Sequence, residues 1–299
     1  ATQHIIVDGW CIQLYMGDLM LYLQQELTGL RIDADELNTD GRYEAAVREI
    51  LTKDKDKALG YWRNLLDGFE TRTEIPSWGD VPEAEQAKED TLSIQVDADA
   101  TTQLTQLCQQ QHATLSNAVE LAWGLVLQIY SRTDDAVFAK VVSGRDNTKT
   151  DVNEVVGLFI NSVPVRVKTT KESTFRQMVH TLQQQAAETN AYDFCALAEI
   201  QQQSPLGSQL FQSVTAFENY NSGNESQETS ADSFNLRPLV MTEENFDEIA
   251  QTAYVDDEGR LVLNITFNRQ HYRQQEIERV LQLFQTLLTS FVLSPDVPL

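Results

Sequence analysis

Basic residues are scarce. The 299 residues hold 22 lysines and arginines against 45 aspartates and glutamates, a formal charge of −23. General nucleic-acid binding is thereby disfavoured, because neutralising phosphates needs a basic footprint. Cysteine is sparse too: Cys11, Cys108 and Cys195 lie far apart, with no Cys-x-x-Cys pair and no histidine spacing around them. That argues against a disulfide framework and against a structural zinc site, so no metal is expected. No apolar run is long enough to span a bilayer, and no Gly-x-x-x-x-Gly-Lys loop is present to cradle nucleotide phosphates. The opening, Ala1-Thr2-Gln3-His4-Ile5-Ile6-Val7, lacks the basic start and small-residue cleavage site of a secretory signal, so a cytoplasmic protein without membrane attachment is expected.

What is present suits a folded α/β protein. The hydrophobic fraction is 41% and the charged fraction 22%, and the length allows one large domain or two lobes, each with its own core. Residues 3–7 read as a strand, followed after Asp8-Gly9 by helical spacing of leucines up to Gly29. Residues 41–68 suggest one or two amphipathic helices. Residues 76–90, which hold Pro76, Gly79 and Pro82 among acidic side chains, are the linker candidate, separating a first part over residues 1–75 from a second over residues 91–299. Beyond it, strands are expected at 91–96, 136–142, 162–168 and 210–218, and helices at 98–111, 115–130, 174–188 and 274–291. A polar loop is expected at 221–233 and a hairpin around Asp256–Gly259. Alternating strands and helices imply a layered α/β core.

Chemistry concentrates in Gln3-His4-Ile5-Ile6-Val7-Asp8-Gly9-Trp10, where an imidazole precedes a strand-to-helix turn and a carboxylate follows four residues on. From that pattern His4 is either a structural histidine packed beside the turn or a general base. Cys11 has no second base near it in sequence and reads as a small buried thiol. His112, His180 and His271 have no motif partners and read as exposed or structural.

The segment Gln3-His4-x-x-x-Asp8-Gly9-Trp10-Cys11 resembles the His-His-x-x-x-Asp-Gly signature of the condensation domains of nonribosomal peptide synthetases. Phe138-Ala139-Lys140-Val141-Val142-Ser143-Gly144-Arg145 is similar to that family's strand ending in Ser-Gly-Arg. Val156-Gly157-Leu158-Phe159-Ile160-Asn161-Ser162-Val163-Pro164-Val165-Arg166 is similar to its Val-Gly-x-Phe-x-Asn-Thr-x-Pro-x-Arg segment. Tyr61-Trp62, Tyr192-Asp193-Phe194 and Phe217-Glu218-Asn219-Tyr220 match further landmarks in the family's order.

The resemblance implies a chloramphenicol-acetyltransferase-like fold, a layered α/β sandwich whose second lobe is complete and whose first is only partly present, since the histidine motif already begins at residue 3. It implies amide formation between a donor acyl thioester and an acceptor amine. Donor and acceptor carrier domains would bring both on phosphopantetheine arms, so no cofactor is bound by the chain itself. A neighbouring adenylation domain and the rest of the first lobe are the other implied partners. His4 is the implied catalytic residue, taking the amine proton or orienting the amine. Gln3, Asp8, Gly9 and Arg145 support it, with Asp8 pairing either with Arg145 or with an arginine of the first lobe. Gly9 is expected to permit a tight turn and leave room for substrate. Trp10, Ser143, Asn161 and Asn219 are candidates to line the tunnel, although Asn161 and Asn219 could equally satisfy backbone groups at strand edges. Gln3 and Cys11 depart from the family's histidine and serine. The alternatives are an epimerising or ester-forming relative, or a docking domain without catalysis.

Overall fold

Thr114 and Thr174 each open a helix by the same device. The Thr114 hydroxyl accepts from Asn117 N at 3.3 Å while Thr114 N donates to Asn117 Oδ1 at 3.0 Å, and Thr174 pairs with Gln177 in the same way. Each reciprocal pair satisfies two backbone donors that a helix start leaves open. Asp54 and Asp97 cap two further helices through their carboxylates.

The computed structural model describes residues 7–29, 41–77, 89–218 and 248–299. In chain order these form α1 (Trp10–Thr28), α2 (Arg42–Leu51), α3 (Lys55–Leu66), β1 (Glu89–Val96), α4 (Ala98–Gln110), α5 (Leu115–Ser131), β2 (Asp135–Val142), β3 (Asn161–Lys168), α6 (Phe175–Thr189), α7 (Leu197–Gln201), β4 (Ser213–Phe217), β5 (Ile249–Val255), β6 (Leu261–Asn268) and α8 (Gln274–Leu293). A short 3₁₀ turn, Arg145–Asn147, follows β2. The strand expected before Val7 and the polar loop at 221–233 lie outside the described residues, as does most of the 76–90 linker. The last two residues of that linker belong to β1, because Glu89 and Asp90 pair with Asn268 and Phe267. The strand expected from residue 210 starts at Ser213; Leu210 reaches the core from the end of a 3₁₀ turn.

The strands form one six-stranded sheet in the order β1-β6-β5-β4-β2-β3. The hairpin around Asp256–Gly259 joins antiparallel β5 and β6, with Val255 opposite Leu261. β2 and β4 run parallel but pair only at Ala139–Val214 and Lys140–Thr215, so their carboxyl ends are left unpaired with each other. Ends of parallel strands that part in this way are where α/β sheets place their sites.

Alternation assigns the faces. Leu261, Leu263, Ile265 and Phe267 of β6, with Ala136 and Phe138 of β2, join the main core beneath α4, α5, α6 and α8. α5 is buried at every position from Asn117 to Gln128, the pattern of a helix at the centre of a core rather than on its surface. The intervening Val137 turns to the other face and meets Ala58, Trp62 and Leu66 of α3. A small third cluster, Ala46, Val152, Val155 and Phe159, holds α2 against the loop after β2. α1 stands apart from these cores, with Trp10, Ile12, Leu19, Leu21 and Leu27 all exposed.

Gly124 sets how closely α5 can approach the sheet, because a Cβ built there would lie 2.4 Å from Val167 Cγ2. Helix propensity favours Gly124→Ala by about 1 kcal/mol, whereas overpacking of a filled core costs about 1–3 kcal/mol. Gly124→Ala is expected to lower stability in denaturant unfolding; a gain would mean that α5 can lift from β3.

Candidate functional site

Asp8 ends the segment before α1, and its carboxylate is buried, 1% exposed. Arg145 Nη2 donates to both of its oxygens, at 3.0 and 3.2 Å. Phe159 N donates to Asp8 Oδ2 at 3.1 Å, and the Cys11 thiol lies 3.2 Å from Oδ1. The arginine is held in turn: its Nη1 donates to the carbonyls of Val152 and Val155, and its guanidinium lies over the Phe159 ring at 4.6 Å and the Trp10 ring at 5.8 Å. Hydrogen bonds to both partners and stacking of the arginine leave this charge pair a single geometry.

The local chain is shaped for this arrangement. Gly144 has φ +65, and a Cβ there would sit 2.0 Å from Phe159 O, so the turn delivering Arg145 needs glycine twice over. Gly157 lets Tyr43 of α2 lie against the loop, since a Cβ would meet that ring at 2.3 Å. Cys11 Sγ contacts Gly157 O at 3.3 Å and N at 3.4 Å, which ties the first turn of α1 to the same loop.

A second polar cluster adjoins the first. Asn147, two residues after Arg145, donates through Nδ2 to Asp193 Oδ1 and accepts from Lys53 Nζ at 3.0 Å. The Lys53 ammonium also lies 4.9 Å from the centre of the Phe194 ring. Asn161 Nδ2 donates to the carbonyls of Asp193 and Cys195, at 2.7 and 2.6 Å. Burial pushes the Asp193 carboxyl up to about 6, against the lowering effect of Asn147 and Lys53. Burial likewise lowers Lys53 below the ordinary lysine range.

Of the residues singled out from sequence, Asp8 and Arg145 meet as expected, and the partner of Asp8 is the arginine within this chain. Gln3, His4 and Asn219 lie outside the described residues. The chain turns at Gly9, with Cys11 N donating to Asp8 O at 3.0 Å, but φ of −58 and ψ of −28 are open to any residue, so the turn does not call for glycine. Trp10 is 44% exposed and donates to Asn153 O at 2.8 Å. Asn161 satisfies backbone carbonyls, the second of the two roles open to it. Ser143, together with Gly144, Lys140, Asn190 and Phe217, lines a cavity of about 300 Å³ at the carboxyl ends of β2 and β4. Cys11 is buried, and His112, His180 and His271 are exposed. Sequence reasoning missed Lys53 and Asn147, whose contacts span 94 and 46 residues and carry no local signal. Among the described residues no cluster of histidine, cysteine or acidic side chains could hold a metal ion, and no helix is long and apolar enough to cross a membrane.

Removing one partner of a buried ion pair costs about 3–5 kcal/mol, because the other charge is left uncompensated. Arg145→Met should therefore lose stability on that scale in denaturant unfolding, and adding Asp8→Asn should recover part of the loss. Strictly additive effects of the two substitutions would mean that the pair does not form.

The family model described as the Condensation domain matches residues 2–299. The chain is 30% identical over 306 residues to tyrocidine synthase 3 of Brevibacillus parabrevis, covering 100% of this chain and 5% of that protein. Among solved structures it superposes on AB3403, a four-domain nonribosomal peptide synthetase bound to AMP and glycine, with TM-score 0.73 and 21% identity over 97% of this chain and 23% of that one. It also superposes on the epimerization domain from the third module of tyrocidine synthetase B, with TM-score 0.70 and 16% identity over 98% of this chain and 68% of that one. The chain thus spans a small part of the curated relatives it matches. By its family match over nearly all its length and by its chloramphenicol-acetyltransferase-like fold, the chain belongs to the condensation-domain family.

Proposed function

We propose that the chain acts in a nonribosomal peptide synthetase, joining a carrier-bound donor acyl or peptidyl thioester to the amine of a carrier-bound acceptor. The amine attacks the thioester carbonyl, the new C–N bond forms, the C–S bond breaks, and the thiolate leaves on the donor's phosphopantetheine arm and is protonated. His4 takes the proton lost by the amine or orients the amine for attack. The observation that carries this reading is the buried Asp8–Arg145 pair. It joins two motifs 137 residues apart in sequence, and it anchors Asp8, four residues after His4, to the turn that carries Gly144 and Arg145.

The partners in this reading are donor and acceptor carrier domains, an adenylation domain and an upstream lobe. That lobe would cover the exposed apolar residues of α1, including Leu19, Leu21 and Leu27, which otherwise stand in water at a cost of roughly 25 cal/mol per Å². The setting is cytoplasmic, where aminoacyl thioesters are supplied.

General-base help contributes roughly 10²–10⁴-fold, and holding both thioesters in register contributes up to about 7–11 kcal/mol. His4→Ala should therefore slow condensation strongly without abolishing it. The test uses the chain in its full synthetase context, with acyl-loaded donor and aminoacyl-loaded acceptor carriers and mass detection of product on the acceptor. A fall of at least tenfold (~1.4 kcal/mol) in His4→Ala, with carrier loading unchanged, is expected. Solvent deuterium entering the donor α-carbon without condensed product would instead identify an epimerase. Product formation indifferent to His4 would remove it from the mechanism.

A further inference from the structure

The Asp8–Arg145 pair is presented by a turn whose other end, Asn147, is clamped between a cation and an anion. Lys53 Nζ donates to Asn147 Oδ1 at 3.0 Å, and Asn147 Nδ2 donates to Asp193 Oδ1. Asn147 is 7% exposed and Asp193 4%, so water does not compete for these contacts. Asp193 is itself fixed from behind, its carbonyl accepting from Asn161 at 2.7 Å. We propose that Asp193 is a positioning residue for the proposed reaction: through Asn147 it fixes the Arg145–Asn147 turn, and through Arg145 it fixes the Asp8 loop that follows His4.

The chemistry of the acid supports a role beyond packing. An asparagine at 193 could accept the same hydrogen bond from Asn147 with no charge to bury. The carboxylate is instead retained where burial disfavours ionisation and raises its titration to about 6. Because the folded state holds this proton more tightly than the unfolded chain does, the contribution of Asp193 to stability falls as pH rises between the ordinary carboxylate range and about 6. A group that lowers stability at neutral pH, while its oxygen holds the amide of a turn bearing a motif arginine, is arranged for geometry rather than for stability. The charged and titratable groups facing it are Lys53 from the loop between α2 and α3, Asp146 from the Arg145 turn, Cys195 on its own segment, and Lys140 of β2 and Glu120 of α5 across the shared cavity. Lys53 favours the ionised form and Asp146 opposes it, while the Lys140 ammonium is taken up by Glu120 at 2.5 Å.

The positioning role rests on the condensation reading, whereas its structural half can be measured without turnover. Amide hydrogen exchange of residues 7–12 and 145–159, corrected for intrinsic rates, would be followed from pH 7.5 to 5.5 in the full synthetase, with α8 as the internal reference for global opening. In the wild type, exchange of both segments should fall at least threefold relative to α8 as Asp193 takes up its proton, because opening returns the carboxyl to its ordinary range and is therefore easier when it is ionised. Asp193→Asn, which keeps the acceptor without the charge, should show the lowered exchange at pH 7.5 already and should not respond to pH, whereas Asp193→Ala should loosen both segments at every pH. Asn147→Ala should loosen the same two segments. In the condensation assay Asp193→Ala should lower kcat at pH 7.5 at least fivefold with little change in KM, whereas Asp193→Asn should keep most of it. Protection and pH response in Asp193→Asn equal to wild type would overturn the proposal, as would loosening shared equally by α8. Absence of condensation in the wild type would count against the functional reading alone, since the exchange result still decides whether Asp193 holds the turn.

Discussion

The buried Asp8–Arg145 contact is the constraint on which the arrangement of the site depends. An ion pair out of water has a single workable geometry, because each unused lone pair or N–H must find another partner or lie stranded. Asp8 meets that demand with Phe159 N and the Cys11 thiol; Arg145 meets it at Nη1 with the carbonyls of Val152 and Val155, while its Nε is buried without a partner. One contact therefore dictates the path of the chain from residue 152 to residue 159. The glycines follow from it: Gly144 passes under Phe159 O, and Gly157 leaves room for the Tyr43 ring. A serine in place of Cys11 would suit the same position, since a hydroxyl can also bridge a carboxylate and a backbone group. That accounts physically for how this chain tolerates its departure at residue 11.

The site can be polar because the rest of the lobe is not. α5 lies against the sheet at the distance Gly124 allows, and with α8 it covers a dry layer that includes Phe138, Phe267 and Phe284. Trp123 crosses that layer and donates to Ser213 Oγ at 3.1 Å, which pins the start of β4 to the central helix. β2 and β4 are thereby set rigidly where they pair, at residues 139–140 and 214–215; past Val142, where pairing with β3 also ends, the chain is free to carry irregular backbone. Ser143, Gly144 and Arg145 occupy this position. The paired part of the strand gives precision and the unpaired end gives access.

Much of this was legible in the sequence, and what was not has identifiable reasons. Helices and strands with strong periodicity, such as α5, α8 and the β5–β6 hairpin, announce themselves because burial on one face, or on all faces, leaves a compositional trace. The Asp8–Arg145 pairing was legible only through the order of motifs, since no local rule links residues 137 positions apart. Asp8-Gly9 marks a turn in sequence and makes one, yet the backbone angles at Gly9 are open to any residue, so the glycine signals more than the turn requires. Leu210 was read into a strand because it is apolar and buried, yet it is delivered to the core by a 3₁₀ turn. The Lys53–Asn147–Asp193 cluster left no trace, because polar residues that satisfy one another across the fold look in sequence like polar residues that face water.

That last failure bears on how such sites are built. Apolar contacts are interchangeable in kind, so a core tolerates substitution and is recorded as a pattern. A buried polar contact has one donor, one acceptor and one direction, and it is costly when incomplete. Around Arg145 the polar contacts form a connected set: Asp8, Cys11, Arg145 and Phe159 on one side, Lys53, Asn147, Asp193 and Asn161 on the other, joined by three residues of 3₁₀ turn. Their hydrogen bonds contribute little net stability individually, and the burial of Asp193 and Lys53 opposes folding at neutral pH. What the set supplies is uniqueness of position. A loop tethered by one such contact can pivot about it; one tethered at both ends of a short turn cannot. The two clusters are therefore better regarded as one device, in which the second removes the freedom of movement that the first would leave.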